Sequence, residues 1–599
     1  MPPHPSIGRI QALRDELARR GLAGFLIPRA DEHQGEYVPP SSARLPWLTG
    51  FTGSAGIAVV HSNSAALFID GRYTLQAAQE AEPSLWAFRH LVAEPVTDWL
   101  TATLAPGERL GYDSWLHSTD EVARLKIAVE KAGATLEAVP DNPLDAVWRD
   151  RPAPPLAAIV PHPLVYAGES AFDKRARVAA ELTQEGVDAA VLAAPDAVAW
   201  LLNIRGGDVE HSPLPLSFAI LRADATVDLF VDRRKLSPGL DIHLGNAVAI
   251  HEPAALGPAL DLLGADKKTA QVDPTGAYWL YRRLEAAGAK IKRGADPCAL
   301  PRALKNATEI AGARAAHRRD GAAMTRFLAW LDEAAAGGRV DELGASERLG
   351  ALRRENDLFR DFSFATISGA GPNGAIVHYR SSPKTNRRLE PGTFYLVDSG
   401  AQYLDATTDI TRTVAIGAPS EEMRDRFTRV LKGHIALARC RFPQGTSGSQ
   451  IDALARHALW QAGLDFDHGT GHGVGSYLSV HEGPHRISKL PSTVALRPGM
   501  IVSNEPGYYK TGAYGIRIEN LVLVVEAPPI AGAERAMLAF ETLTRCPIDR
   551  RGIDARLMNA EEIAWLDAYH VSVRADLAPG LDAETRAWLE QATSPLGSA

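Results

Sequence analysis

The N-terminal half of the chain states one pattern twice. RIQALRDELARRGLAGFLI (9–27) resembles RARVAAELTQEGVDAAVLA (175–193), and each reads as an amphipathic helix, a glycine and an apolar strand. WLTGFTG (47–53) has its counterpart in WLLNIRG (200–206), ALFIDGRYTL (66–75) in DLFVDRRKL (228–236), and LGYD (110–113) in AQVD (270–273). Four matches in one order predict two related α/β domains of about 150 residues each. The proline-rich stretch RPAPPLAAIVPHP (151–163) reads as the linker between them.

A chain of 599 residues exceeds one core, and about three or four domains are expected. Net charge is −8 with no long basic run, so nucleic acid is not an expected partner. Cys298, Cys440 and Cys546 are scattered and form no CxxC pair, which fits a reducing compartment. The N-terminal MPPHPSIGRIQALRDELARRG has no apolar h-region, and no apolar run is long enough to span a bilayer. Neither a signal peptide nor a membrane partner is expected, and a cytoplasmic location follows.

A third region begins near Ala303. TEIAGARAAHRRDGAAMTRFLAWLDEAA (308–335) has helical spacing, with Asn306 or Thr308 as its cap. SFATISGAGPNGAIVHY (363–379), TFYLVDSG (393–400), GMIVSNEPGYY (499–509) and GIRIENLVLVV (515–525) read as strands. Their β-branched and aromatic content, punctuated by glycine and proline, predicts a curved, mostly antiparallel sheet. Covering helices are expected over 424–442 and 448–463, with a further packing helix over 559–578 and a loose tail, SPLGSA (594–599).

Asp398, Asp409, His472, Glu505 and Glu519 lie in this region and supply four carboxylates and one imidazole. That is a hard, oxygen-rich set for two divalent metals with room for a bridging hydroxide. A turn near Gly400 to Asp405 would bring Asp398 and Asp409 onto neighbouring strands, with Thr407, Thr408, Thr411 and Thr413 available to orient them. Taken singly, each residue has a plainer reading. Asp398 can be a turn acceptor and Asp409 a surface residue. His468, His472 and His481 can be a core cluster, although glycines on both sides of His472 favour close backbone approach to a ligand. Glu482 is placed to orient His481. Glu505, ending an apolar strand before Pro506, is costly to bury without a cation. Glu519 can pair with Arg517, two residues before it.

From residue 363 onward the chain resembles the pita-bread metallopeptidases, and within them the three-domain cytosolic aminopeptidase P group. The resemblance rests on PNGAIVHYR, DSGAQYLDATTDITRT, HGTGHGVG, VHEGPHRI, NEPGYY and GIRIENLV. It extends forward through TGFTGSAGIAVV, FIDGRYTLQAA and AWLLNIRGGDV, and on to the end through LTRCPIDRRGID and EEIAWLDAYH. It implies two creatinase-like α/β domains (1–160 and 161–304), a pita-bread dimetal catalytic domain (305–535) and a C-terminal extension packing on it (536–599).

The resemblance implies a ligand set in which Asp398 chelates one metal, His472 and Glu505 hold the other, and Asp409 and Glu519 bridge them. The metals are expected to be Mn²⁺. His378, His468 and His481 match substrate-contacting histidines, with His378, His481 and Glu505 catalytic, and Arg72 matches an arginine that reaches substrate from the first domain. The implied activity is release of the N-terminal residue from peptides with proline second, by a homodimer. A prolidase of the same fold would cleave Xaa-Pro dipeptides instead. A non-catalytic peptide-binding relative would lack metal ligands.

Overall fold

The computed structural model describes residues 4–596, which divide into two compact units. The first comprises the chain up to Pro163 together with Glu169–Ala299; the second comprises Leu164–Gly168 and everything from Leu300.

Two six-stranded sheets of identical topology form the first unit. One runs Ala87–His90, Ala65–Ile69, Ile57–His61, Gly24–Pro28, Arg109–Tyr112, Thr135–Ala138; the other runs Val248–His251, Val227–Phe230, Phe218–Arg222, Ala189–Leu192, Thr269–Val272, Lys290–Arg293. Each is mixed: an antiparallel meander at the centre, with parallel strands added on both sides. The parallel additions need crossovers, which the helices between them supply. The repeat reaches local detail. The helices Arg44–Thr49 and Pro195–Leu202 both stop on a left-handed residue, Gly50 (φ 84°) and Asn203 (φ 49°), the two residue types that tolerate this cap. The expected linker is stitched to the second copy. Ile159 N–H donates to Lys235 O at 2.7 Å, and Val160–Pro161 pairs with Ile204–Arg205.

The longest helix of the second unit is the 30-residue Ala307–Ala336, started by a capping box between Asn306 and Glu309. Its strands pair antiparallel throughout. One sheet joins Ile367–Ala370, Thr393–Ser399 and Ile410–Ile416; another joins Phe442–Pro443, Met537–Thr542, Asn520–Glu526, Ile501–Asn504, Gly471–Gly473 and Glu482–Ile487. The helices Glu421–Ala438 and Ala560–Leu577 share one core, in which Phe427 and Leu431 meet Leu566 and Val573.

Three of the expected strands and the tail are corrected. The stretches 499–509 and 515–525 each split in two, into Ile501–Asn504 and Gly507–Lys510, and into Tyr514–Arg517 and Asn520–Glu526. Residues 363–379 are not one strand: pairing ends at Ala370, and a 3₁₀ turn covers Gly371–Ala375. Gly371 takes φ +52° and Pro372 has no N–H to give a ladder, so the strand cannot continue. The tail is also held as far as it is described. Leu596 N–H donates to Asp567 Oδ1 at 3.0 Å and Arg550 to the Pro595 carbonyl at 3.0 Å, while 597–599 lie outside the described residues. Among the described residues no helix is long and apolar enough to cross a membrane.

Candidate metal centre

Asp398 and Asp409 sit at the open end of a strand pair. In the ladder between Thr393–Ser399 and Ile410–Ile416, Asp398 lies opposite Thr411, and Asp409 immediately precedes the second strand. The expected turn between them is a small hairpin of its own, Ala401–Tyr403 against Ala406–Thr407. Asp320 of the long helix anchors it: Tyr403 donates to Asp320 at 2.9 Å, and the buried Arg353 binds the same carboxylate at 2.8 and 2.9 Å. Of the four threonines, Thr411 touches a candidate ligand directly, donating to Glu519 Oε2 at 2.7 Å.

His472 lies in the short strand Gly471–Gly473. The flanking glycines serve backbone packing. A Cβ on Gly471 would stand 2.0 Å from the Ser503 carbonyl oxygen, and one on Gly473 2.1 Å from that of Glu482. The imidazole is thereby set against two carboxylates, its Nε2 lying 3.5 Å from Asp409 Oδ2 and 3.5 Å from Glu505 Oε1. Nδ1 faces the Gly473 carbonyl at 3.0 Å, which fixes the proton on Nδ1 and turns Nε2 toward the acids. Glu505 follows the strand Ile501–Asn504, its N–H bonded to Thr470 O at 2.9 Å and its Oε1 accepting from Ser503 Oγ at 3.0 Å. Glu519 is 1 % exposed, between the strands Tyr514–Arg517 and Asn520–Glu526.

Arg517 answers to Asp398, not to Glu519. Its NH2 lies 2.6 Å from Asp398 Oδ2, its NH1 donates to Tyr509 Oη at 2.6 Å, and its Nε donates to Thr411 Oγ1 at 3.1 Å. Glu482 likewise does not orient His481. It is buried in an ion cluster with Lys305 and Arg302, the latter at 3.1 Å. A fourth histidine of this stretch, His485, is core, its Nε2 2.7 Å from the Ile501 carbonyl.

The remaining histidines surround the acids. His481 stacks edge-on to His472 with ring centroids 4.2 Å apart. His468 Nδ1 is 4.0 Å from Glu505 Oε2, and its Nε2 is 2.9 Å from Tyr509 Oη. His378, half-buried, follows the 3₁₀ turn, and the carbonyl of Val377 beside it accepts from Arg517 NH1 at 3.4 Å. That turn is held by Glu342, 0 % exposed, which accepts from Ala370 N–H (2.8 Å), Asn373 Nδ2 (2.9 Å) and Tyr379 Oη (2.9 Å). Sequence reasoning missed Glu342 and Tyr509. An acid on the inner face of the amphipathic stretch 342–354 was the one signal for the former.

Arg72 belongs to the first unit. Its guanidinium pairs with Asp70 at 2.6 Å, and Arg234 pairs with Asp232 at 2.6 Å in the second copy. The Asp-x-Arg pairing recurs in Asp549/Arg551 and Asp554/Arg556, so it is a local device of this chain.

Electrostatics test whether cations fit the cluster. Asp409, His472 and Glu519 each offer a ligand atom within 4.8 Å of the others. Asp398 Oδ1 and Asp409 Oδ1 are buried and accept no hydrogen bond. Four carboxylates face one arginine, a deficit of three charges that two divalent cations cover. Without them, burial and the neighbouring Asp398 and Glu505 push Asp409 up to about 6, and burial beside Asp409, Glu505 and Asp398 drives Glu519 well above the carboxylate range. Burial opposes protonation of His472, yet its contacts with Asp409 and Glu505 push it up to about 9. These are the signs of a site that lacks positive charge, and the residues fit a pair of divalent metals.

The model of metallopeptidase family M24 matches residues 311–526, and that of the C-terminal region of peptidase M24 matches 536–596. The creatinase/prolidase N-terminal domain matches twice, over 9–141 and 150–309. Aminopeptidase P1 of Arabidopsis thaliana is 38 % identical over 98 % of this chain and 99 % of its own. A probable Xaa-Pro aminopeptidase P of Laccaria bicolor is 39 % identical over 98 % of this chain and 93 % of its own. The crystal structure of the X-prolyl aminopeptidase of Caenorhabditis elegans, described as a cytosolic enzyme with a di-nuclear active site, superposes with a TM-score of 0.94 at 34 % identity, covering 98 % of this chain and 99 % of that one. The chain belongs to metallopeptidase family M24, in its aminopeptidase P group.

Proposed function

We propose that this protein is a metal-dependent aminopeptidase that releases the N-terminal residue from peptides with proline in the second position. The observation that carries the reading is the convergence of Asp409, His472, Glu505 and Glu519, with buried, unpartnered carboxylate oxygens on Asp398 and Asp409. The names of the full-length relatives support the substrate class.

Asp398, Asp409, His472, Glu505 and Glu519 hold two divalent cations, taken here as Mn²⁺. Bound there, they supply Lewis acidity that lowers the pKa of a water and polarises a peptide carbonyl. The protein does the rest. Glu505, at the rim of the cluster and less buried than Glu519, takes the water's proton. His481 donates to the carbonyl oxygen as negative charge builds on it. His378 and His468 line the substrate path, His468 held by Tyr509. Arg72 is assigned to substrate binding on the family pattern alone. The bond before proline lacks an N–H, so substrate recognition that needs a backbone donor there fails. A site acting on the carbonyl and the free amine does not need one. The enzyme is assigned to the cytoplasm as a homodimer, the latter readable by light scattering on the purified protein.

The test is hydrolysis of Xaa-Pro-Xaa against Xaa-Pro in added Mn²⁺, with metal analysis of the same preparation. Two metals per chain and cleavage of the tripeptide alone support the reading. Cleavage of the dipeptide alone makes the protein a prolidase, and absence of bound metal and activity makes it a binding module.

A further inference from the structure

Behind the carboxylates lies a second buried polar cluster. Asn504 precedes Glu505 and Asn520 follows Glu519, and because successive strand residues point to opposite faces, both turn away from the acids. They face each other across the ladder between Ile501–Asn504 and Asn520–Glu526. His434 of the helix Glu421–Ala438 ties them. Its Nδ1 donates to Asn504 O at 3.0 Å, its Nε2 is 3.1 Å from Asn520 Nδ2, and its own carbonyl accepts from Asn504 Nδ2 at 2.9 Å.

Arg412 is the hub of this cluster. It is 1 % exposed, and its hydrogen-bond partners include no carboxylate. NH1 bridges two carbonyls, Thr411 O at 2.9 Å and Glu519 O at 2.6 Å. It thus clamps together the backbones that carry Asp409 and Glu519. NH2 binds Asn520 Oδ1 at 2.9 Å. The other side of the guanidinium is held by the chain beyond residue 536: Nε donates to Pro547 O at 2.9 Å, and NH2 to Cys546 O at 2.9 Å and Tyr569 Oη at 3.0 Å. Tyr569 donates in turn to Cys546 O at 2.8 Å. A lone buried cation with every donor spoken for is costly unless its acceptors are fixed. Here the acceptors on one side come from the metal-bearing strands and on the other from the C-terminal region.

We infer that Arg412 is a positioning residue of the metal centre, and that the C-terminal region, through Cys546, Pro547 and Tyr569, sets the separation of Glu519 from Asp409. The inference rests on the dimetal reading above. Groups that orient ligands typically change metal affinity about 10–100-fold when removed.

The test is calorimetric titration of chelator-stripped protein with Mn²⁺, for the unaltered chain, Arg412→Lys and Tyr569→Phe. Tyr569→Phe keeps the ring in its core and removes only the hydroxyl, so it answers the question even if Arg412→Lys fails to fold. The expected result is two equivalents in the unaltered chain, and in Tyr569→Phe at least one of them bound about tenfold more weakly. Turnover of that variant returns on raising the metal concentration, with KM for the peptide unchanged. A lowered melting temperature with both metal affinities intact would make the network structural only and overturn the inference. Failure of the unaltered chain to take up two metals would instead remove the dimetal reading, and this inference with it.

Discussion

Arg517 NH2 rests 2.6 Å from Asp398 Oδ2 deep in the acid cluster, with Arg517 2 % and Asp398 8 % exposed. Arg517 is the one arginine among the four carboxylates, and the proposed metals would supply the remaining positive charge. Arg517→Met therefore strands a buried carboxylate in the metal-free protein, at a cost of about 3–5 kcal/mol. Saturating metal offsets part of that loss, because cations take over compensation of Asp398. Urea unfolding with and without Mn²⁺ reads the difference. An equal loss under both conditions would show that Asp398 does not share its charge with the metals.

Chelation should make stability fall with rising pH. Asp409, pushed up to about 6, and His472, pushed up to about 9, both bind protons more tightly folded than unfolded. The contribution from Asp409 is complete below its ordinary value near 3.8 and is lost as pH rises through 6. That from His472 is complete below 6.5 and is lost as pH rises through 9. His434, His485 and His570, each held down to about 3 by burial, act in the opposite sense, destabilising as pH falls below 6.5. They do so with or without metal, so they cancel in a comparison. The melting-temperature gap between Mn²⁺-loaded and EDTA-treated protein should widen from pH 5 to pH 9. A constant gap would mean that no cation displaces protons from these groups.

His481 packs against the His472 ring at 4.2 Å, yet it is assigned no metal. His481→Ala should load metal normally and lose about 10²–10³-fold in turnover, the usual effect of removing one oxyanion donor. Metal analysis beside steady-state kinetics separates the roles, and lost metal would make His481 a ligand.

The fold was legible wherever the sequence repeats or punctuates itself. The copies 9–27 and 175–193 foretold matching helix–strand units, and Asn306 foretold the start of the long helix. What escaped were contacts between residues distant in sequence. Spacing points Arg517 at Glu519, two positions away, but its partner is 119 residues earlier in Asp398. Glu482 was set beside His481, but two cations 177 and 180 residues earlier, Lys305 and Arg302, claim it. The glycines around His472 suggest close backbone approach to a ligand, whereas what approaches them closely is the backbone of Ser503 and Glu482. Alternation and spacing report which face a residue takes, and they are silent on which strand the fold brings opposite.

Amine-anchored cleavage before proline is what this cluster is proposed to perform. The most direct measurement is a matched peptide set, Xaa-Pro-Xaa, its N-acetyl form and Xaa-Ala-Xaa, incubated with the Mn²⁺-loaded protein and with Asp409→Ala. The expected result is release of the first residue from Xaa-Pro-Xaa alone, with no turnover by Asp409→Ala, whose metal content falls while its first two domains stay folded. Comparable cleavage of all three peptides, or near-normal turnover by an Asp409→Ala protein that retains two metals, would contradict it.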